Sequence, residues 1–304
     1  VKVFSANEDR VFITAEDFNL SKSLKKRELF DFFEIINNLK SKNRFDEIKE
    51  VFKEDELAPS FFVVANILQK HGFKRLRIEI KSEVPKNLGS SSATFSAVAL
   101  GVSKFLGKDL SKKEISDFAY QGDLIAHGGT PSGIDNAIVT YGGYLKYKKS
   151  KGVELLRVNF QIPLLIIDSG EEARTGETVS YVRKQRKENP EFVNSVLDSL
   201  DNITERALEA LNFQNFEGLG SLMVEYYKEL KKLNISTPRL DRIIEIALQN
   251  KALGAKPTGG WGGGCCLVLA ENQERIANLI KIFRKNGFKS FQSKIGVEGV
   301  KLIL

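Results

Sequence analysis

Three glycine-rich segments constrain this chain more than any other feature: Leu88-Gly89-Ser90-Ser91-Ser92-Ala93, residues 128–143 (GGTPSGIDNAIVTYGG) and residues 258–266 (TGGWGGGCC). Glycine lets a backbone turn sharply or approach a ligand closely. The middle segment carries Asp135, flanked by Ile134, Ala137 and Ile138, so its carboxylate is expected to project from a structured wall. A single acid in a loop is ordinarily an N-cap or a turn residue. Three such segments in one chain, one of them carrying an acid set among apolar residues, predict a phosphate site assembled from distant parts of the sequence.

The first segment lies between a strand-like run and an apolar helical run. Gly89 permits close approach, the serines offer hydroxyls, and the free N–H groups of a helix start carry partial positive charge. That combination is an anion site, and its hydroxyls suit Mg²⁺, which takes oxygen ligands. It is not a P-loop, because no lysine follows the glycine. A serine N-cap is the plain alternative.

Around these segments the pattern is α+β, with strands grouped rather than strictly alternating with helices. Strands are expected at 1–5, 11–14 and 76–80, where Leu76, Ile78 and Ile80 alternate with charged residues. Helices are expected over 22–56, 59–71, 93–106 and 112–127. Strands follow at 144–148, 154–160 and 163–168, then three or four amphipathic helices over 177–252. Thr237 reads as the cap of one of these, with Pro238 in its first turn. The chain ends as strand 265–270, helix 273–286 and strands near 288–294 and 299–304. With 304 residues, two domains are expected, 1–155 and 156–304.

Net charge is +7, which raises nucleic-acid binding as a possibility. The basic groups are dispersed, however. Tyr144 and Tyr147, among the lysines at 146–151, would point to opposite faces of a strand and make a poor stacking platform. No nucleic-acid partner is expected, and no run approaches the roughly 18 apolar residues of a membrane span. The two cysteines, Cys265 and Cys266, are adjacent. They can neither staple distant segments nor offer metal-ligand spacing, so a reducing, cytoplasmic setting is expected.

The three segments, in their order, resemble the motifs of GHMP-type small-molecule kinases, and within them the mevalonate kinase branch. Pro85-Lys86-Asn87-Leu88-Gly89-Ser90-Ser91 matches the second motif. Lys256-Pro257-Thr258-Gly259-Gly260-Trp261-Gly262-Gly263-Gly264-Cys265 matches the third. Gln121-Gly122-Asp123 through His127 to Pro131-Ser132-Gly133-Ile134-Asp135-Asn136 is similar to the catalytic loop of the mevalonate branch. The first motif is degraded: in register, Arg10 stands for the usual lysine, Ala15 for glycine and Asp17 for histidine, while Glu16 is kept.

The resemblance implies a two-domain GHMP-kinase fold with the active site in the interdomain cleft. It implies that ATP and Mg²⁺ are used to phosphorylate the primary hydroxyl of mevalonate, a step of isoprenoid precursor synthesis. Asp135 would orient or deprotonate that hydroxyl, with Arg10 beside it keeping the carboxylate ionised. Lys86, Leu88, Gly89, Ser90, Ser91 and Ser92 would hold the nucleotide phosphates. Ser91 and Asp123, the latter where the family usually has glutamate, would hold the metal. Glu16, Asp17, Ser132, Thr175, Gly259 and Gly260 would contact substrate. Trp261 is read as packing its loop, and His127 as a structural hydrogen-bonding residue. A homodimer is left open. Two alternatives remain: a sister kinase acting on phosphomevalonate, a sugar or homoserine, and a kinase-fold protein that senses ligand without turnover.

Overall fold

The computed structural model of the protein describes residues 1–52, 55–84, 88–127, 129 and 131–303. They form two compact units, 1–157 with 296–304, and 158–295.

The first unit opens with strands β1 (Lys2–Ser5), β2 (Arg10–Ala15) and β3 (Leu20–Lys25). Helices α1 (Lys26–Ser41), α2 (Phe45–Phe52) and α3 (Ala58–His71) then cross over to β4 (Leu76–Ile80). The sheet order is β1-β4-β2-β3, with β2 and β4 parallel and the other pairs antiparallel. The period-two pattern works as read: Leu76, Ile78 and Ile80 are buried alongside Val11, Ile13 and Ala15. On the opposite face the Arg77 guanidinium lies 5.3 Å from the Phe12 ring centroid. α3 is apolar on nearly every side, and Phe61, Phe62, Val63, Val64, Ala65, Ile67 and Leu68 are all buried. It is the central helix of the unit, and each of its large side chains contributes roughly 1.5–3 kcal/mol by burial. α4 (Ser90–Phe105), α5 (Lys112–Ala126) and α6 (Ile134–Tyr141) complete the helical layer, followed by the hairpin β5 (Tyr144–Lys148) and β6 (Gly152–Leu156).

The second unit holds β7 (Leu164–Asp168), α7 (Thr175–Glu188), α8 (Pro190–Asn212), α9 (Phe216–Lys231) and α10 (Pro238–Gln249). β8 (Gly254–Pro257), β9 (Cys265–Leu269), α11 (Gln273–Lys285) and β10 (Lys289–Phe291) follow. Its sheet, in the order β10-β7-β9-β8, is antiparallel throughout. Leu165, Ile167, Cys266 and Val268 pack against the buried stripe of α10 and against Ile276, Leu279 and Phe283 of α11. The Thr237 cap forms as expected: its hydroxyl accepts from the Leu240 N–H at 3.3 Å, with Pro238 in the first turn.

Four features differ from the sequence expectation. Residues 20–25 form β3 rather than the start of a helix, because they pair with β2 from Arg10↔Lys25 to Ala15↔Leu20. Residues 134–141 form α6, where only a turn was expected. β8 was not anticipated. Residues 299–303 form no strand, and the chain from 296 returns to the first unit. There Gly142 bridges Glu298, and the Val300 N–H donates to the Val139 carbonyl at 2.8 Å.

Candidate active site

The N-terminus of α4 opens on a cavity of about 530 Å³ within the first unit. Gly89, at φ +76°, precedes the helix in a left-handed conformation, and no side chain caps the first turn. Ser90, Ser91 and Thr94 line the polar end of the cavity, and Asp17, Asp55 and Glu56 edge it. Its body is apolar, with Phe18, Leu20, Leu57, Ile80, Phe95 and Ile125. A pocket of this size, largely apolar with a few converging polar groups, suits a small organic ligand. Its uncapped helix start favours an anionic end on that ligand.

The third serine of the run points elsewhere. Successive helix residues are turned by about 100°, so Ser92 faces α5 while Ser91 faces the cavity. Ser92 is 2% exposed, and its hydroxyl donates to Oδ2 of Asp123, itself 2% exposed. Asp123 Oδ1 has no hydrogen-bond partner among the described residues. His127 Nε2 lies 3.7 Å from that oxygen, one helical turn along α5. Burial raises the Asp123 carboxyl above its usual range, and the Asp135 charge adds to the rise. The Ser92 hydrogen bond, His127 and the Asn136 amide oppose it without overcoming it.

Asp135 sits in the first turn of α6, where the helix dipole favours a negative charge. Gly133, at φ +87°, makes the turn into that helix, and a Cβ there would stand 2.6 Å from the Tyr147 hydroxyl. That hydroxyl donates to the Ser132 carbonyl at 3.0 Å, and Lys149 reaches the Pro131 carbonyl. The Tyr-Lys hairpin therefore braces the turn that presents Asp135. The Ser132 hydroxyl accepts from the Ile134 N–H at 3.3 Å, closing the turn locally. Asp135 is open to solvent at its surface yet ringed by protein. Burial raises its carboxyl above the usual range, and His127 pulls it back part of the way.

Arg10 is not brought to this acid pair. Its guanidinium donates to the Ser23 hydroxyl at 2.9 Å and pairs with Glu8 at 3.3 Å. Ser23, which lies opposite Phe12 on β3, and the Glu8 carboxylate hold it at the start of β2. Among the described residues, His127 is the side chain that acts on the Asp135 carboxyl, pulling it down when its ring carries a proton. Asp17 accepts from the Ser82 N–H at 2.5 Å and edges the cavity, whereas Glu16 is exposed on the 3₁₀ turn after β2. Leu88 is half-buried, and Lys86 lies outside the described residues.

The model of the GHMP kinases N terminal domain matches residues 60–143, and that of the GHMP kinases C terminal matches 206–289. The mevalonate kinase of Pyrococcus furiosus is 34% identical over 235 residues, 75% of this chain and 69% of the relative. That of Methanocaldococcus jannaschii is 30% identical over 303 residues, 97% and 89% of the two chains. The chain belongs to the mevalonate kinase family. A crystal structure of a mevalonate kinase superposes with a TM-score of 0.76 at 27% identity, covering 97% of this chain and 88% of that one.

The remaining family positions lie in the second unit. Thr175 begins α7, and Gly260 packs so closely on it that a Cβ there would fall 2.3 Å from Thr175 Cγ2. Gly259, at φ +78°, has open space around its Cα. Trp261 interrupts the glycine run in a left-handed conformation, φ +64°, and is 3% exposed. Its indole stacks on Tyr227, with ring centroids 6.1 Å apart. His127, read from the sequence as a structural hydrogen-bonding residue, stands one helical turn from Asp123 with Nε2 3.7 Å from Oδ1, a proximity that their i+4 spacing already signalled. Asn136 and the Ser92–Asp123 link carried no local signal.

Proposed function

We propose that this chain transfers the γ-phosphoryl group of ATP to the primary hydroxyl of mevalonate. The observation that carries this reading is the pairing of Asp123 with Asp135, next to an uncapped serine-lined helix start, in a chain of the mevalonate kinase family. Asp135 accepts the proton of the attacking hydroxyl. Its raised proton affinity makes it a better base than an ordinary carboxylate. The N–H groups at the start of α4 and the Ser90 and Ser91 hydroxyls hold phosphate oxygens. The cavity body takes the apolar face of the base.

Magnesium fits these donors. Asp123 Oδ1 is a buried carboxylate oxygen with no partner among the described residues, and the Ser91 hydroxyl lines the cavity. Bound there, the metal supplies neutralisation of charge on the phosphate oxygens. His127 lowers the carboxyls of both Asp123 and Asp135, which helps to keep them ionised. Cys265 and Cys266 are free and buried, and burial pushes both thiols up. They suit a reducing compartment such as the cytoplasm.

ADP release measured by a coupled assay, with mevalonate, phosphomevalonate, galactose and homoserine offered in turn, tests the reading. Turnover with mevalonate is expected, and the product carries a new phosphomonoester by ³¹P NMR. Turnover with another acceptor alone would reassign the substrate. The placement of Arg10 with Glu8 and Ser23, away from Asp135, favours a second reading as a ligand sensor. Nucleotide binding with no turnover on any acceptor would decide for it.

A further inference from the structure

Buried polar residues in the first unit form a seam at helical spacing. α4 contributes Ser92 and Ser96, 2% and 1% exposed, and α6 contributes Asn136 and Thr140, 1% and 0% exposed. Each pair is four residues apart and so lies on one helix face. The Ser96 and Thr140 hydroxyls meet at 3.1 Å and close one end of the seam. At the other end Ser92 turns away from α6 and donates to Asp123 on α5. A buried polar atom without a partner costs roughly 1–3 kcal/mol. Among the described residues, three unpartnered atoms gather at that end: Asp123 Oδ1 and both amide atoms of Asn136.

We propose that Ser92 is a positioning residue that anchors Asp123 through Oδ2 and thereby presents Oδ1 to the metal of the bound nucleotide. This rests on the kinase reading above. A carboxylate rotating about its terminal bond exchanges its two oxygens, and one fixed donor ends that exchange. Ser92 is that donor; it is buried, and it does not itself line the cavity. Among the described residues the oxygen left over is buried and has no donor within hydrogen-bond distance, with His127 Nε2 no nearer than 3.7 Å and the Asn136 amide beside it, which is an environment that a cation would satisfy. Three successive serines therefore divide their work: Ser90 and Ser91 face the cavity, and Ser92 orients the acid behind it.

Thermal denaturation with ADP alone, and with ADP plus Mg²⁺, separates this role from plain packing. In the unaltered protein Mg²⁺ adds to the stabilisation given by ADP. Ser92→Ala is expected to keep the ADP-only shift and to need about tenfold more Mg²⁺ for half of the added shift, as when a partner of a metal ligand is lost. Ser92→Cys keeps the volume but donates weakly, and should behave in the same way if the alanine variant folds poorly. Ser96→Ala, which breaks the Ser96–Thr140 link, is expected to lower the melting temperature of the free protein and leave the Mg²⁺ requirement unchanged. Wild-type Mg²⁺ requirements in both Ser92 variants, or an equal rise in Ser96→Ala, would overturn the assignment while the nucleotide reading stands. No ADP shift in the unaltered protein would sink the nucleotide reading, and this assignment with it.

Discussion

Two aspartates, one in each unit, differ in cover and in partners and behave oppositely: Asp123 is 2% exposed, and the Asp241 side chain is 32% exposed. Asp241 in the second unit accepts from the Tyr227 hydroxyl at 2.7 Å and the Ser236 hydroxyl at 2.6 Å on one oxygen, and from Lys231 at 2.7 Å on the other. Burial raises its carboxyl, but those three donors overcome burial and hold it below the usual range. Asp123 in the first unit has, among the described residues, one donor at hydrogen-bond distance, Ser92; Asn136 and His127 also oppose burial, and burial wins. Both oxygens of Asp241 are satisfied, and the residue works as a fastener: Tyr227, held by it, is the surface on which Trp261 stacks. Among the described residues Asp123 keeps one oxygen without a hydrogen-bond partner. A protein carries such a cost where a ligand can relieve it.

The largest expected effect tests the open side of this comparison. Asp135→Asn should reduce kcat by roughly 10²–10⁴, the range for a positioned acid–base group, with little change in ATP affinity. Activity within a few-fold of the unaltered enzyme would remove Asp135 from the chemistry. The same site sets a pH dependence. Burial holds the Asp135 carboxyl above the ordinary carboxylate range, so the acid limb of the rate should lie above that range. His127 lowers it, so His127→Asn should move the limb to higher pH.

Next in size is the closed side. Trp261→Ala removes a buried indole and should cost about 3–5 kcal/mol in urea denaturation. Trp261→Gly removes the same indole but relieves the φ of +64°, and should be less destabilising than alanine by ~1 kcal/mol. If the two are equal, the left-handed backbone at 261 carries no strain. Trp261 is the single tryptophan of the chain, so its fluorescence reports the stacked loop directly.

A smaller pair of effects should differ in sign. Asp241→Asn gives up a carboxylate that three donors stabilise and should cost ~1–3 kcal/mol. Asp123→Asn keeps an acceptor for Ser92 and removes a charge that the fold disfavours. It should therefore raise the melting temperature of the free protein near neutral pH. The linkage agrees. A lowered acid such as Asp241 contributes stability above its unfolded pKa and loses it as pH falls through the folded value. A raised acid such as Asp123 contributes only at low pH and loses that contribution as pH rises through its folded value. Equal signs for the two substitutions would break the comparison.

The smallest effect concerns Lys256, beside the glycine run. Burial lowers its ammonium to about 8, against a weak opposing pull from Cys266. Its Nζ donates to the Pro257 carbonyl at 3.0 Å and lies 4.9 Å from the Tyr226 ring centroid. Between that value and the 10.5 of a free lysine, the unfolded chain binds a proton that the folded chain does not, so stability rises with pH. Lys256→Met should therefore stabilise the protein most below pH 8, with the gain fading toward pH 10.5. A gain independent of pH would show that packing, not charge, is responsible.

Much of this was legible in the order of residues. The alternation at Leu76, Ile78 and Ile80, the apolar run of α3 and the Thr237-Pro238 cap are local patterns with periods of two or about 3.6, and each produced the element expected of it. The family was readable from motif order, and Asp135 was singled out by the turn that precedes it. Tertiary structure alone decided the rest, because the deciding partners are remote in sequence. The Ser92–Asp123 link spans 31 positions, and only the packing of α4 on α5 determines which of three adjacent serines meets the acid. Arg10 had a charge and a register but found Ser23 across the β2–β3 ladder. Trp261 read as a loop residue, and the position of Tyr227 on α9 made it an anchor. Local sequence sets the period and ends of each element, whereas the satisfaction of a buried polar atom depends on which elements come to lie side by side.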